Sequence, residues 1–465
     1  MLHPSDIRHV TFRVTSQYDR AISDFVTDWE FLDAAGNGLG SKSRSPQVMA
    51  TLQRICPAFY LSALRDAARD FSSRSSFWAP FLRNPSIDPQ LRKQIEEELS
   101  DLNTRIIDAH ANLQKVKVNM AKTQELVALG AADPVSIEAL PGRVSDMLSR
   151  TQINMKTTSG ASIPLGRHGA GAQSLSVMFL FEAFLETMLA DVYDKLSEPI
   201  LALEEPEAHL HPGAIRQLWS VLAAMKGQKI IATHSGDLLS EAPLLAICRF
   251  CRVNGKIEVH RVGKTTLNDD DLRKVGYHIQ RSKGEMFFAK CWLLVEGETD
   301  YWVLRRVAAI LGIDLENHGV RLVPFSQVGV ATFAKIANDL HIGWFCMADG
   351  DNAGQEYRRS LLPHFAGRAE QDCVTLLPTK TIEILLCQNG FGQPYLNHIS
   401  PQKKSRLTAK PTAPDYWEQV VDCRDRTPKE QLALEAVELI AQAGKNAVPK
   451  ELQQVIEQAV KIGSA

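Results

Sequence analysis

The 465-residue chain lacks any run of about 18 apolar residues, so nothing in it reads as a membrane-spanning helix. Its amino end, MLHPSDIRHV, lacks the basic start and apolar stretch of a secretory signal. Cysteine is sparse, eight in all, as expected of a reduced cytosolic protein rather than a disulfide-stapled secreted one. Only Cys248 and Cys251 stand at C-x-x-C spacing, and no second pair completes a zinc site. Both are expected to be small buried apolar residues. Charge of one sign is missing too. The 52 Lys and Arg against 54 Asp and Glu leave a net charge of −2, which excludes a histone-like basic DNA binder but not a local basic groove. What remains is a cytoplasmic, soluble, multidomain chain, with no membrane partner and roughly 100–200 residues per domain.

Local patterns divide it. HVTFRVT (9–15) reads as a strand, an aromatic cluster surrounds Trp29 and Phe31, and a helix is expected from near Phe59. Pro85, Asp88 and Pro89 mark a boundary. Beyond it Leu91, Ile95, Leu99, Leu102, Ile106, Leu113 and Met120 recur at helical spacing as far as about Leu129. That apolar stripe suits a helical arm or a docking helix, but burial within the same chain is the expectation. From about 155 to 265 strands and helices alternate: SLSVMFLFEAFLETML (174–189) as helix, PILALEE (199–205) as strand, GAIRQLWSVLAAMK (213–226) as helix, QKIIATHS (228–235) as strand. Strands of continuous Ile, Leu and Ala between helices imply a parallel sheet covered on both faces. A second α/β unit runs through CWLLVEGETD (291–300), VRLVPFSQVG (320–329) and IGWFCMADGD (342–351). The stretch 398–416 reads as a loop and 428–461 as helical.

Two constellations carry chemistry. In the first, Glu204 and Glu205 directly follow an apolar strand, at the edge where α/β sheets bind nucleotides. One carboxylate there would hold Mg²⁺ through water and the other would orient the attacking water. His234 ends a neighbouring strand, within reach of a γ-phosphate. Upstream, Gly169 and Gly171 precede Gln173 and Ser174 at the start of a long apolar helix, where bare backbone amides suit a phosphate. In the second, Glu296 ends an apolar strand and is followed by Glu298 and Asp300, and Asp349 and Asp351 flank Gly350 after another. Hard oxygen ligands of this kind suit Mg²⁺ or Mn²⁺, and two ions about 4 Å apart would activate a water and stabilise the leaving oxygen of a phosphodiester. Either half alone would read as a solvated acidic loop.

In this order the segments resemble the OLD (overcoming lysogenization defect) family of ATP-dependent nucleases. HGAGAQSL matches an ABC-type signature, EEPEAHLHP a Walker B run, and the LLVEGETD and ADGD strings a TOPRIM domain. The resemblance implies an α/β chain: a partial ABC-type ATPase head with a helical insertion, then a Rossmann-like TOPRIM domain and carboxyl-terminal helices. The expected parts are 1–85 and 151–285 for the head, 86–150 for the insertion, 286–395 for TOPRIM and 396–465 for the helical tail. By the same resemblance Glu204 assists Mg²⁺, Glu205 is the catalytic base of ATP hydrolysis, and His234 is the switch histidine. The signature residues would act on the partner's ATP in a head-to-head homodimer. Glu296, Asp349 and Asp351 would hold metal at the DNA-cutting site, with Asp300, or Glu298 in its place, for a second ion. Glu383 in TIEILL resembles a further metal ligand, and Lys429 in RTPKEQLAL a lysine that stabilises the cleaved phosphate. A helicase or other defence-system protein is a candidate partner, and phage defence or DNA repair the implied setting. The pattern departs at the P-loop. GNGLGSKS (36–43) keeps Gly36, Lys42 and Ser43 but has Ser41 where Gly is required, so an absent amino-terminal lobe and little ATP turnover by this chain alone are expected. A non-catalytic nucleotide-sensing or DNA-clamping module and a topoisomerase- or primase-like enzyme remain as rivals.

Overall fold

A computed structural model describes residues 10–40, 45–63, 70–72, 75–83, 87–121, 135–156, 160–282 and 284–464. The degenerate loop residues Ser41, Lys42 and Ser43 lie outside the described residues, as do 64–69 and 122–134. The chain divides into two compact units, residues 1–234 and 235–465. No helix among the described residues is long and apolar enough to cross a membrane.

The first unit begins with an antiparallel hairpin, β1 (Thr11–Asp19) and β2 (Asp24–Leu32), which pairs Phe12 with Phe31 and Val14 with Trp29. The aromatic cluster is thus the second strand of a hairpin, with Phe31 fully buried. Helix α1 (Pro46–Ile55) follows. The helix expected from Phe59 is instead strand β3 (Ala58–Leu61), which pairs in parallel with Ile200–Leu203. Phe59 and Leu61 point into the core while Tyr60 is 65% exposed, the period-two alternation that a four-residue apolar run conceals.

The expected arm is two helices, α2 (Pro89–Ala109) and α3 (Ala111–Ala121), separated at His110, whose backbone is extended. Asp88 caps the first, accepting from the amides of Gln90 and Leu91 at 2.9 and 3.2 Å. Its apolar stripe is not buried as expected: Leu91, Leu102 and Met120 are exposed, and Ile107 is the buried residue of α2. The short hairpin β4 (Asn154–Lys156) and β5 (Ser162–Pro164) leads to α4 (Ala170–Thr187).

Behind α4 lies a three-stranded parallel sheet in the order β3, β6 (Ile200–Glu204), β7 (Gln228–Ala232), with α5 (Pro212–Ala224) as the crossover. Phe59, Phe181 and Phe184 meet edge-on at its core. The expectation of a sheet covered on both faces fails for this one. Burial alternates along β6 and β7, and Ile230 is 57% exposed.

In the second unit a short helix, Gly236–Glu241, precedes the hairpin of β8 (Cys248–Val253) and β9 (Lys256–Arg261). Asn254 and Gly255 both take positive φ at its turn, as a tight two-residue hairpin requires. Cys248 is exposed and Cys251 half-buried on one strand. Three residues apart, they face opposite sides of it, so the pair neither packs as a buried unit nor converges on an ion. After α6 (Asp269–Ser282) comes a four-stranded parallel sheet in the order β11 (Val320–Pro324), β10 (Cys291–Val295), β12 (Gly343–Ala348), β13 (Val374–Leu376).

This sheet is covered on both faces. Along β10, Cys291, Leu293 and Val295 join a core built with α7 (Glu298–Leu311), α11 (Lys429–Ala443) and α12 (Lys450–Ser464). Trp292 and Leu294 join a second core with α8 (Val330–Asp339) and Trp344. Leu432 of α11 is fully buried in the first core. Leu432→Ala should therefore cost about 2–5 kcal/mol of unfolding free energy, read by denaturant titration. A loss below 1 kcal/mol would mean that α11 is not anchored there.

Candidate functional site

The first carboxylate group of the second unit sits where β10 ends. Glu296 follows the strand, Gly297 caps α7, and Glu298 and Asp300 lie in the helix's first turn. Asp300 is 6% exposed, and its carboxylate accepts from the Gly297 amide at 3.0 Å. On the neighbouring strand β12, Asp349 and Asp351 follow Ala348. Asp351 caps α9 (Asn352–Leu361), accepting from the Gly354 amide at 2.8 Å. Gly350 is required by close approach, since a Cβ there would stand 2.3 Å from the Leu377 carbonyl and 2.5 Å from that of Thr379. That contact draws in the turn leading to α10 (Ile382–Leu386), whose Glu383 is 4% exposed.

Five of the six acidic residues singled out share one electrostatic field. Burial, then Asp300, Glu296, Glu383 and Asp351, push the Asp349 carboxyl up to about 8. Burial foremost, with Glu383 and Glu296 adding to it, lifts Asp300 to about 7. Glu296 is raised by burial and by Asp351 and Glu383; the Lys429 ammonium and a hydrogen bond from Tyr357 oppose the rise. Glu298 is exposed and lines an adjoining cavity. Lys429, exposed at the start of α11, is thus brought to the carboxylates from more than 130 residues along the chain.

Tyr357 was missed by sequence reasoning. It lies on the helix that Asp351 caps, and its ring packs edge-on against Phe325 at 4.9 Å. The only sequence signal was its place six residues after Asp351, on a helix leaving the site.

Among the described residues, no three His, Cys, Asp or Glu are arranged to hold a metal ion as they stand. The donor chemistry nevertheless fits a hard divalent cation. Oε2 of Glu296 is buried without a hydrogen-bond partner, in an all-oxygen set of mutually repelling carboxylates.

A pH dependence follows from the raised values. Asp300 and Asp349 fold with carboxyls near 7 and 8 against an ordinary 3.8, so folding favours their protonated forms. Their contribution to stability is fully present below 3.8 and is lost as pH rises through about 7 and about 8. A divalent cation competes with those protons. Mn²⁺ should thus raise Tm more at pH 8.5 than at pH 6, and an equal gain at both would contradict a carboxylate site.

In the first unit, Glu204 ends β6 and accepts a hydrogen bond from the Tyr60 hydroxyl. Glu205 holds a positive φ of 41° and lies 3.5 Å from the exposed His234. Glu207, buried and not singled out from sequence, accepts from the Thr233 hydroxyl. Gly169 caps α4, and Gln173 donates to the His168 carbonyl at 2.7 Å. A Cβ on Gly171 would meet the His209 carbonyl at 2.7 Å, so that glycine lets α4 pack on the loop after β6. Ser174 is buried at 2% exposure and its hydroxyl is not presented to solvent.

Comparison with known proteins divides the chain near residue 286, inside the second compact unit. Residues 1–285 match the family described as Protein of unknown function (DUF2813), and residues 287–351 match the Overcoming lysogenization defect protein-like TOPRIM domain. The second match ends at Asp351, so Glu383 and Lys429 lie beyond it. Uncharacterized protein YbjD of Escherichia coli K12 is 33% identical over 231 residues, 49% of this chain and 42% of that protein. The OLD nuclease of Thermus scotoductus is 27% identical over 376 residues, 75% of this chain and 68% of that one. The Old nuclease of Escherichia phage P2 is 26% identical over 197 residues, 40% of this chain and 33% of that protein. The chain thus spans less than half the length of YbjD and of the phage protein. The solved C-terminal region of the Burkholderia pseudomallei OLD protein aligns at 16% identity and a TM-score of 0.31, covering 38% of this chain and 99% of that one, a likeness too slight to carry weight. The chain belongs to the DUF2813 family and is an OLD-family protein with a TOPRIM domain.

Proposed function

We propose that the chain is a metal-dependent DNA endonuclease that cuts at the carboxylate centre of its TOPRIM domain. The observation that carries this is the shared field of Glu296, Asp300, Asp349, Asp351 and Glu383 at the ends of adjacent strands, opposed by the Lys429 cation. Those carboxylates would hold two Mg²⁺ or Mn²⁺ ions, Glu296 offering its unpartnered oxygen. Bound there, the ions supply Lewis acidity to a phosphodiester and to the attacking water. Lys429 neutralises charge developing on the phosphate, and Tyr357 fixes the Glu296 carboxylate.

The proposed division is a head at 1–85 and 151–285 with an insertion at 86–150, a TOPRIM domain at 286–395 and a helical tail at 396–465. In the head, Glu204, Glu205 and His234 would serve ATP within a homodimer. The signature turn with Gly169, Gly171, Gln173 and Ser174 would serve the partner's ATP.

A topoisomerase-like reading needs a tyrosine nucleophile. Burial and then Glu296, Asp351 and Asp349 push the Tyr357 hydroxyl above the usual tyrosine range, which disfavours the phenolate. Cut plasmid, denatured and probed for attached protein, should carry none; a covalent adduct would favour the topoisomerase reading.

A further inference from the structure

Beside the carboxylate centre, a cavity of about 360 Å³ lined by Glu298, Tyr301 and Trp302 runs into a second of about 620 Å³ that shares Tyr301, Trp302 and Arg321. Together they form a groove between α7 and the edge strand β11. Trp302 is 43% exposed, whereas Trp292 and Trp344 in the same unit are fully buried. Its ring is held rather than loose. Tyr301 packs edge-on against it at 5.1 Å, the Arg305 guanidinium stands 5.8 Å from its centroid, and Arg305 donates to the Tyr301 hydroxyl at 3.1 Å. Residues 301, 302 and 305 share a helix face by their three- and four-residue spacing, so the platform is built into one turn of α7.

The neighbouring cations are spent on carboxylates, Arg306 on Glu438 at 2.8 Å and Arg321 on Glu316 at 3.1 Å. Arg305 pairs with no carboxylate among the described residues. One available guanidinium beside an exposed indole does not make the basic row that tracks a duplex backbone. It suits a single base stacking on the ring, with its phosphate near the cation.

Resting on the nuclease reading, we infer that this groove seats an unpaired stretch of the strand being cut. The substrate class is then DNA with a single-stranded segment beside the scissile phosphate. Glu298, which lines the near end of the groove and starts the helix that carries Asp300, connects it to the carboxylates.

The test uses the full chain and three fluorescent probes without divalent metal: oligo(dT) of 20 nucleotides, a blunt duplex, and a duplex with a single-stranded flap. Trp302→Ala should weaken binding of oligo(dT) and the flap about ten-fold or more and leave the blunt duplex unchanged, with Trp302→Phe recovering part of the loss. Arg305→Ala should weaken the same two probes. Unchanged oligo(dT) binding by Trp302→Ala overturns the inference. So does a change of oligomeric state in that variant, which would assign the groove to a second copy. Plasmid cutting by the parent separates the two readings. A parent that cuts while Trp302→Ala binds normally sinks the groove alone; a parent that never cuts but loses oligo(dT) binding on Trp302→Ala sinks the nuclease alone.

Discussion

Asp349→Ala should abolish metal-dependent cutting of DNA without unfolding the protein. Losing a ligand that holds a Lewis acid at the phosphate removes several kcal/mol of transition-state stabilisation, a rate loss of about 10²–10³-fold. Glu296→Ala should match it, because Glu296 contributes the buried oxygen that nothing else satisfies. The accompanying stability change gives the prediction its edge. Asp349 is forced towards the protonated form by burial and by Asp300, Glu296, Glu383 and Asp351, so its charge opposes folding at alkaline pH. Removing it should leave Tm unchanged or raise it at pH 8.5, measured without metal. A residue kept for structure behaves in the opposite way, losing Tm together with activity.

Lys429→Ala should slow cutting about 10²-fold, the cost typical of losing one preorganised group that stabilises developing negative charge. Tm should hold, since Lys429 is exposed at the first turn of α11. Helix stability does not explain a cation at that end, where the macrodipole favours acidic residues, so the position is better explained by the carboxylates it faces. Lys429 also lowers Glu296, and its loss should let Glu296 rise further and move the pH–rate profile to higher pH. Lys429→Arg should retain part of the rate. A Lys429→Ala enzyme with parental rate and profile would remove the residue from the centre.

The sequence made the TOPRIM carboxylates readable because their strands are buried on both faces. CWLLV and GWFCMA are continuous apolar runs, so the acids that follow them stand out at the strand ends. Phe59 misled for the complementary reason. A four-residue strand has no period long enough to separate from a helix, and pairing with β6 decides it. The stripe of α2 was legible as a pattern, but a pattern does not say which partner covers it, and Leu91 and Leu102 are exposed. Tyr357 and the Trp302 platform were illegible because they depend on how α7 and α9 pack around the strand ends rather than on motif spacing. Glu207 was hidden by its more conspicuous neighbours Glu204 and Glu205, and only its burial against Thr233 sets it apart.

The most direct measurement is nicking of supercoiled plasmid by the purified full chain without ATP, in Mn²⁺, in Mg²⁺ and in EDTA, with Asp349→Ala and Glu296→Ala run in parallel. A carboxylate-held metal centre predicts open-circular product from the parent with either ion, none in EDTA, and none from either variant. Equal nicking by parent and variants, or nicking that survives EDTA, would contradict it.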